Sequence, residues 1–361
     1  MVYGRRMLGG VAYVCLLVTL VGCALPGQTQ RLPPLRIPGL QRMDGLSNLY
    51  GDRTFGSVTP FQRGGGKWQV LLGSLQSLYV AAQDGSGLRR IALTQGCKYF
   101  VTVSADGQWV ACLAGDHSTD SGYIELASLS ASGPQGHWQM PLPFYPTYPN
   151  VALSPDGTDL ALIRNSSTSP GCAVAVYALA SDHSAATLVT TVTSSVFRDQ
   201  GDCAVRGLGW SSDGTRLFIG VHASQPLSVA IDESVPIARL IQTHTSAVTI
   251  PASAFVGFPG SPGRFLAWNP RDDRVAFDTD MGGPSDGVET LSAKAASLRS
   301  SNSRSSAGFS LPSEDYQIWS VAWTPDGTQL LIVIGPPSCV DRCSTGNYAF
   351  DVYLYTPGGA K

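Results

Sequence analysis

The chain has 361 residues, of which 43% are hydrophobic and only 14% are charged, and its formal net charge is −2. Average soluble domains carry about 25% charged residues. The low charge, together with 40 Gly and 24 Pro, excludes a coiled coil, a helical bundle and a highly charged disordered chain. The near balance of charges also excludes the basic surface typical of nucleic-acid binding. This composition predicts many short strands joined by many turns.

The amino terminus has the pattern of an export signal. Arg5 and Arg6 precede an uncharged stretch whose most apolar part is Val11–Val21, which is too short to span a bilayer as a helix. The stretch ends in Leu20-Val21-Gly22-Cys23, which resembles the lipobox of bacterial lipoprotein precursors. That resemblance implies cleavage before Cys23 and attachment of several acyl chains to this residue. The alternatives are an ordinary secretory signal peptide and an uncleaved helix.

Three regions are therefore expected along the chain. Residues 1–22 would be a lipoprotein signal peptide, residues 23–50 the lipidated Cys and a flexible Pro-rich tether, and residues 51–361 a single folded domain. The tether is expected because Pro26–Pro34 shows no apolar periodicity. The protein would then be exported and anchored to the outer side of the bacterial plasma membrane or in the outer membrane.

The cysteines fit an oxidising compartment. Besides Cys15, in the apolar stretch, and Cys23, six remain, an even number that favours disulfides in an exported domain. No Cys-x-x-Cys occurs and no His lies beside the closest pair, so no metal site is expected. Six cysteines allow several pairings; the pairing that we predict is Cys97–Cys112, Cys172–Cys203 and Cys339–Cys343.

An internal repeat is the strongest signal in the sequence. A Ser/Thr-x-Asp-Gly motif starts at Ser104, Ser154, Ser211 and Thr324, with a degenerate copy, Asn269-Pro270-Arg271-Asp272-Asp273, in the gap, so the copies recur every 50–58 residues. Each copy lies between apolar runs rich in β-branched and aromatic residues. A turn signal between two such runs predicts a β-hairpin. Repeated four-stranded units of this length predict a β-propeller.

The segments Trp210–Thr215 and Trp323–Thr328 resemble the Trp-Ser-Pro-Asp-Gly-Thr signature of TolB-type, WD-repeat-like propellers. The resemblance covers the chain from about Lys67 to the end and implies an all-β, six-bladed β-propeller of four-stranded antiparallel blades. A seven-bladed ring would require a blade without the motif. Tyr50–Phe61 is expected to supply either the outer strand of the last blade or the first inner strand of the first blade. The recurrent Trp210, Trp268 and Trp323 are expected in the core.

Propeller topology places the Asp-Gly turns at one end and the loops between blades at the other. All six domain cysteines are predicted at the loop end, where disulfides would fix a binding surface or serve stability alone. Loops commonly carry function, so we predict binding residues there. Three of them are aromatic residues of the Pro-rich loop 141–149, namely Phe144, Tyr145 and Tyr148. The other three lie in two further connections between blades and are Arg198, Asp202 and Tyr316.

The sequence thus predicts a rigid binding platform, with a protein of the cell envelope as its partner. It contains no Gly-x-Ser-x-Gly elbow, no phosphate-binding loop and no pair of its five His at ligand spacing, so no cofactor, metal or catalytic residue is predicted. Two alternatives stay open. One is an exported propeller enzyme of the lactonase or lyase type. The other is a carbohydrate-binding or cell-wall-binding protein that uses the aromatic residues of the loop 141–149.

Overall fold

The computed structural model describes residues 32–50, 55–63, 65–74, 78–91, 99–116, 121–129, 137–142, 151–165, 172–199, 202–211, 213–215, 217–221, 228–231, 247–250, 256–257, 262–272, 274–279, 287–292, 307–336 and 350–358. Within these ranges the chain is an all-β propeller. Its strands form six sheets of four or five strands and one two-stranded ribbon. No helix in this part of the chain has the length and apolarity needed to cross a bilayer.

The described chain begins with the strand β1 (Leu40–Arg42) and the helix α1 (Asp44–Tyr50), and the sheets then follow in chain order. The first sheet contains β2 (Phe55–Phe61), β3 (Gln69–Ser74), β4 (Leu78–Ala82) and β5 (Arg89–Ile91). The second contains β6 (Tyr99–Val103), β7 (Trp109–Asp116), β8 (Ser121–Ser128) and β9 (His137–Leu142). The third contains β10 (Val151–Leu153), β11 (Asp159–Asn165), β12 (Cys172–Leu179) and β13 (Ala186–Thr193).

A short 3-10 helix (Ser195–Phe197) and the ribbon of β14 (Arg198–Asp199) and β15 (Asp202–Cys203) connect the third sheet to the fourth. The fourth sheet contains β16 (Val205–Trp210), β17 (Leu217–Val221) and β18 (Ser228–Ile231). The strand β19 (Val248–Thr249) instead joins the third sheet, and β20 (Val256–Gly257) completes the fourth. The fifth sheet contains β21 (Pro262–Trp268), β22 (Arg274–Thr279), β23 (Gly287–Ser292) and β24 (Ala307–Ser310). The sixth contains β25 (Gln317–Trp323), β26 (Leu330–Gly335) and β27 (Asp351–Tyr355), with β1 at its outer edge.

In the first five sheets the described strands follow chain order from the inside outwards, whereas the sixth sheet runs from β25 through β26 and β27 to β1. All pairs of described strands are antiparallel except β13 with β19. The first strands of successive sheets contact one another from β2 through β6, β10, β16 and β21 to β25, and β25 contacts β2 again. We call the end of the ring that carries the turns between first and second strands the turn end. The other end carries the connections between sheets, and we call it the loop end.

The predicted Ser/Thr-x-Asp-Gly turns are confirmed. In each complete copy the glycine adopts a left-handed conformation, with φ between 67° and 74°, which glycine tolerates without steric strain. Its amide donates to the carbonyl of the first motif residue at 2.8–2.9 Å. In the copy that begins at Ser154, the hydroxyl of that residue donates to Asp156 at 2.6 Å and accepts from the amide of Asp159 at 2.8 Å. The residues of the motif thus form hydrogen bonds with one another, so the repeated sequence specifies the turn itself.

The structure differs from the sequence-based prediction at the amino-terminal boundary of the domain. Residues 23–50 were predicted to form a flexible tether, but their described part, from residue 32 onwards, contains β1 and α1, both packed on the ring. The expected outer strand of the last blade is β1, which pairs Leu40 with Tyr355 and Arg42 with Tyr353. The segment Tyr50–Phe61 supplies the first strand of the first sheet, one of the two predicted roles. Sequence periodicity could not reveal β1, because its pairing partner lies more than 300 residues away.

The outer strands of the third and fourth sheets do not simply follow one another along the chain. The strand β19 adds to the outer edge of the third sheet in parallel, with Val192 opposite Val248. The outer strand of the fourth sheet is β20, where Val256 pairs with Val229. Covering the outer edge of β13 protects part of a strand that would otherwise expose unpaired backbone groups.

Candidate functional site

A cavity of about 790 Å³ lies on the axis of the ring. Its walls come from the first strands of all six sheets: from the whole of the short β10 and, in the other five strands, from the residues nearer the turn end. Residues of the turns complete its rim, among them Ala105, Asp106, Pro155 and Arg271. The cavity therefore opens at the turn end. Its volume lies in the range of about 300–1,000 Å³ that is typical of ligand pockets.

One repeat position, the residue directly before the turn, shapes this cavity. In the fourth, fifth and sixth sheets that residue is a tryptophan, and in the first, second and third sheets it is smaller; the six residues are Phe61, Val103, Leu153, Trp210, Trp268 and Trp323. The indole groups fill one side of the ring. More of the cavity lining comes from the first and second sheets, where Val58–Gln62 and Val101–Asp106 contribute. The cavity is thus asymmetric although the fold is repetitive.

The tryptophans also join neighbouring sheets. Trp210 Nε1 donates to the carbonyl of Ala152 in the third sheet at 2.9 Å, and Trp323 Nε1 donates to that of Ala267 in the fifth at 3.1 Å. Trp210 and Trp323 are 6% and 5% exposed, so their predicted place in the core is confirmed; Trp268 is half-buried. One face of these residues stabilises the ring while another borders the cavity.

On the other side of the ring, hydroxyl side chains join neighbouring sheets. Thr59 Oγ1 donates to the carbonyl of Val101 at 2.9 Å, and Thr102 Oγ1 accepts from the amide of Leu153 at 3.3 Å. These bonds satisfy backbone groups on the inner edges of the first strands, which have a sheet neighbour on one side only. Most side chains that line the cavity are apolar, with the hydroxyl groups of Thr59, Thr102 and Ser320 among them.

Among the described residues, two ionisable side chains border the cavity, Asp106 and Arg271. Asp106 accepts from Ser104 Oγ at 2.5 Å and from the amide of Gln108 at 2.9 Å. Arg271 belongs to the degenerate fifth repeat, is exposed, and donates through Nε to the carbonyl of Pro325 at 3.2 Å. Its neighbour Arg274 lies 4.7 Å from the centre of the Trp323 ring. The irregular repeat thus places a cation at the mouth, at the position where the regular repeats have an aspartate.

Other turn aspartates are tied into their own turns. At Asp156, burial alone would raise the pKa, but hydrogen bonds from the Ser154 hydroxyl and from the amide and hydroxyl of Thr158 lower it overall. The pKa of Asp326 is lowered in the same way, by Thr324 and Thr328 against the effect of burial. These carboxylates are therefore ionised within their turns at neutral pH. Among the described residues, no cluster of three or more His, Cys, Asp or Glu has the arrangement of a metal site.

The comparisons with known proteins support the fold. No protein-family model and no curated protein matches the sequence. Among solved structures, hydrazine synthase of Kuenenia stuttgartiensis aligns with a TM-score of 0.50 and 13% identity over 86% of this chain and 79% of that one. A putative TolB from Agrobacterium tumefaciens has a TM-score of 0.46 and 16% identity, covering 84% and 90% of the two chains. A periplasmic gluconolactonase of Pseudomonas aeruginosa has a TM-score of 0.46 and 18% identity, covering 78% of each chain.

At these identities the similarity extends to the β-propeller fold alone. The chain is a β-propeller that is structurally similar to TolB and to other propellers.

The predicted binding residues lie at the loop end or outside the described residues. Phe144, Tyr145 and Tyr148 lie outside them. Arg198 is exposed on β14 and Asp202 lies on β15, in the connection between the third and fourth sheets. Tyr316 lies in the connection between the fifth and sixth sheets, and its hydroxyl donates to the carbonyl of Pro33 at 2.9 Å. The structure therefore does not bring Arg198 and Tyr316 to one connection, and it engages Tyr316 with the amino-terminal segment.

One of the predicted disulfides is present. Cys172, at the start of β12, is bonded to Cys203, at the end of β15, with 5.1 Å between their Cα atoms. Cys112, which was expected at the loop-end terminus of its strand, lies in the middle of β7 opposite Val101 and Glu125. Cys97, Cys339 and Cys343 lie outside the described residues, so the other two pairings stay predictions.

Sequence reasoning missed the cavity residues because it looked for unusual loops. The available signal was the difference between copies at the position before the turn, where Val103 and Leu153 replace the tryptophan of the later repeats. A second signal was the fifth turn, where Arg271 and Asp272 stand in place of the regular sequence. Both signals are departures from the repeat, and both map to the turn end.

Proposed function

We propose that this protein is an exported, lipid-anchored binding protein whose propeller receives a protein partner of the cell envelope at the turn-end cavity. The observation that carries the proposal is the anatomy of that cavity: an apolar centre with tryptophan walls inside a polar, charged rim. Protein interfaces have this arrangement, and their most important residues are enriched in Trp, Tyr and Arg. Attachment through Cys23 and the extracytoplasmic location belong to the same proposal and rest on the lipobox-like sequence.

We further propose that the ring has six four-stranded blades. Six sheets of four or five strands in the described chain, and the circuit of contacts between their first strands, support this number. The pairing of β1 with β27 also supports a closed ring, since strands from both ends of the domain share one sheet. A ring closed in this way presents a rigid mouth, which lowers the conformational cost of binding.

The rim favours binding over catalysis. In the described lining, the ionisable side chains are Asp106 and Arg271, and both are hydrogen-bonded within the turns. A general acid and base in a hydrolase or lyase must reach the reacting group of the substrate. Groups that are held in turns at the mouth suit recognition of a partner surface better than proton transfer inside the cavity.

Site-directed photocrosslinking in intact cells tests where a protein binds. A photoreactive amino acid at Ala105, which is exposed and borders the cavity, should give an adduct with one protein of defined mass. The same amino acid at Leu188, which is 45% exposed on the outer strand β13, is the matched control and should give none. The photoreactive amino acid at Tyr316 tests whether a partner binds at the loop end.

A cavity-filling variant adds a direct test. Val103→Trp introduces at the second sheet the residue that the fourth, fifth and sixth sheets carry at the same repeat position. The adduct at Ala105 should disappear while the folded fraction, measured by urea unfolding followed by far-ultraviolet circular dichroism, stays unchanged. Adducts at Tyr316 alone would place the partner at the loop end and refute the turn-end site. The absence of protein adducts at every position would refute protein binding.

The anchor has its own test. Cys23→Ser removes the acylated side chain and should move the protein from the membrane fraction to the soluble fraction, because two or more acyl chains are needed for stable anchoring. Metabolic labelling with a fatty acid should label the parent protein and not the variant. Membrane association that persists in Cys23→Ser would refute the lipid anchor.

A further inference from the structure

The path of the amino-terminal segment fixes where the chain leaves the ring. The hydroxyl of Tyr316 at the loop end donates to the carbonyl of Pro33 at 2.9 Å. The segment then runs between the fifth and sixth sheets, where the amide of Leu35 donates to the hydroxyl of Tyr353 at 3.1 Å. It reaches the turn end at Gly39, whose carbonyl accepts from the amide of Thr356, and turns back into β1. Pro33 therefore lies at the loop end.

This path is held by buried contacts. Leu35 is 9% exposed and Tyr353 is 1% exposed, in one apolar cluster with residues of the fifth and sixth sheets. Beyond β1, Leu46 and Ser47 of α1 are fully buried, and the Ser47 hydroxyl accepts from the amide of Val352 at 3.0 Å. From Pro33 onwards the segment is thus part of the folded ring, and the point where a tether begins is fixed.

The length of chain before Pro33 limits how the ring can lie on a membrane. The ten residues from Cys23 to Pro33 span at most about 35 Å when fully extended and about 18 Å as a relaxed flexible chain. The six-residue strand β26 alone gives the ring a height of about 20 Å. With the turn end on the bilayer, the tether would have to pass along the side of the ring over this height, and so stretch beyond its relaxed length. With the loop end on the bilayer, a relaxed tether suffices.

We infer that the propeller stands with its loop end towards the membrane and presents the turn-end cavity to the aqueous side. This inference rests on the proposed lipid anchor at Cys23 and adds the orientation of the binding site. A partner would then reach the cavity from the aqueous phase or from an opposing layer of the envelope. A partner held in the same membrane would have to extend past the full height of the ring.

Energy transfer from single sites on the ring to labelled lipids measures this orientation. The acylated full-length protein is placed in phospholipid vesicles whose head groups carry an acceptor dye. A genetically encoded fluorescent amino acid is introduced at one exposed position at a time. Glu314 and Ser195 lie at the loop end, whereas Lys67 and Ala185 lie at the turn end, on corresponding sides of the ring. Two pairs of sites distinguish a tilted ring from an inverted one.

Transfer should be several-fold more efficient from Glu314 and Ser195 than from Lys67 and Ala185. Equal or reversed efficiencies from an acylated, vesicle-bound protein would refute the orientation while leaving the anchor intact. Failure of the parent protein to acquire acyl chains, or membrane binding that persists in Cys23→Ser, would instead refute the anchor. A flexible insertion of several tens of residues after Gln28 should reduce the difference between the two ends. An unchanged difference would show that another membrane contact, rather than the tether, sets the orientation.

Discussion

The amino-terminal helix α1 offers the sharpest test of the fold, because its residues were predicted to lie in a flexible tether. Leu46 is fully buried in a cluster that includes Val58 and Leu72 of the first sheet and Leu331 and Val352 of the sixth. It therefore connects the first and last sheets of the ring. We predict that Leu46→Ala strongly destabilises the protein, although the residue lies only 23 positions beyond the proposed lipidated cysteine.

The magnitude follows from the burial. Replacing a fully buried Leu by Ala removes the transfer free energy of its side chain and leaves a cavity, which together amount to about 2–5 kcal/mol. A value near the middle, about 3 kcal/mol, is expected because the side chains around the deleted group relax in part. A flexible tether would give a change within about 0.5 kcal/mol, as for an exposed surface position.

Urea unfolding of the mature domain, followed by tryptophan fluorescence, measures this difference in the free energy of unfolding. Gln41→Ala is the matched control, because Gln41 lies in β1 of the same segment with its side chain exposed. The control should unfold at nearly the same urea concentration as the parent protein. If Leu46→Ala shifts the midpoint no more than Gln41→Ala does, the packing of α1 on the ring is wrong.

Three further predictions concern the ring. Trp323→Phe removes the donor to the carbonyl of Ala267 and should lower the free energy of unfolding by about 1–3 kcal/mol, again measured in urea. Removing the Cys172–Cys203 bond, which closes a loop with a sequence separation of 31, with the double Ala variant should cost about 4 kcal/mol in the chain-entropy model; an unchanged melting temperature would contradict it. Because the pKa of Asp156 is lowered by folding, its stabilisation is present above about pH 4 and lost as the pH falls through the folded pKa. The melting temperature of Asp156→Asn should therefore fall less steeply than that of the parent protein as the pH is lowered from about 5 to about 2.

The sequence was sufficient for the strands and turns that are encoded locally. At Asp156 and Gly157 the turn needs a short side chain that bonds its own backbone and a residue that tolerates positive φ, and both requirements are visible in a tetrapeptide. It was insufficient for β1, where three residues form a strand only because β27 offers them an edge. Such a pairing depends on closure of the whole ring, which no local pattern contains.

The position of the candidate site follows a similar logic. The aromatic and charged loop residues, such as Tyr145 and Arg198, were singled out because they are unusual within their own segments. A cavity on the axis is instead shaped by what six equivalent positions contribute together, and a small residue such as Val103 matters there because its counterparts Trp210 and Trp323 are large. In a repeat protein the regular positions specify the ring. A ligand site should therefore be sought at the positions that depart from the repeat. Here those positions are Val103, Leu153 and Arg271, and all three border the same cavity.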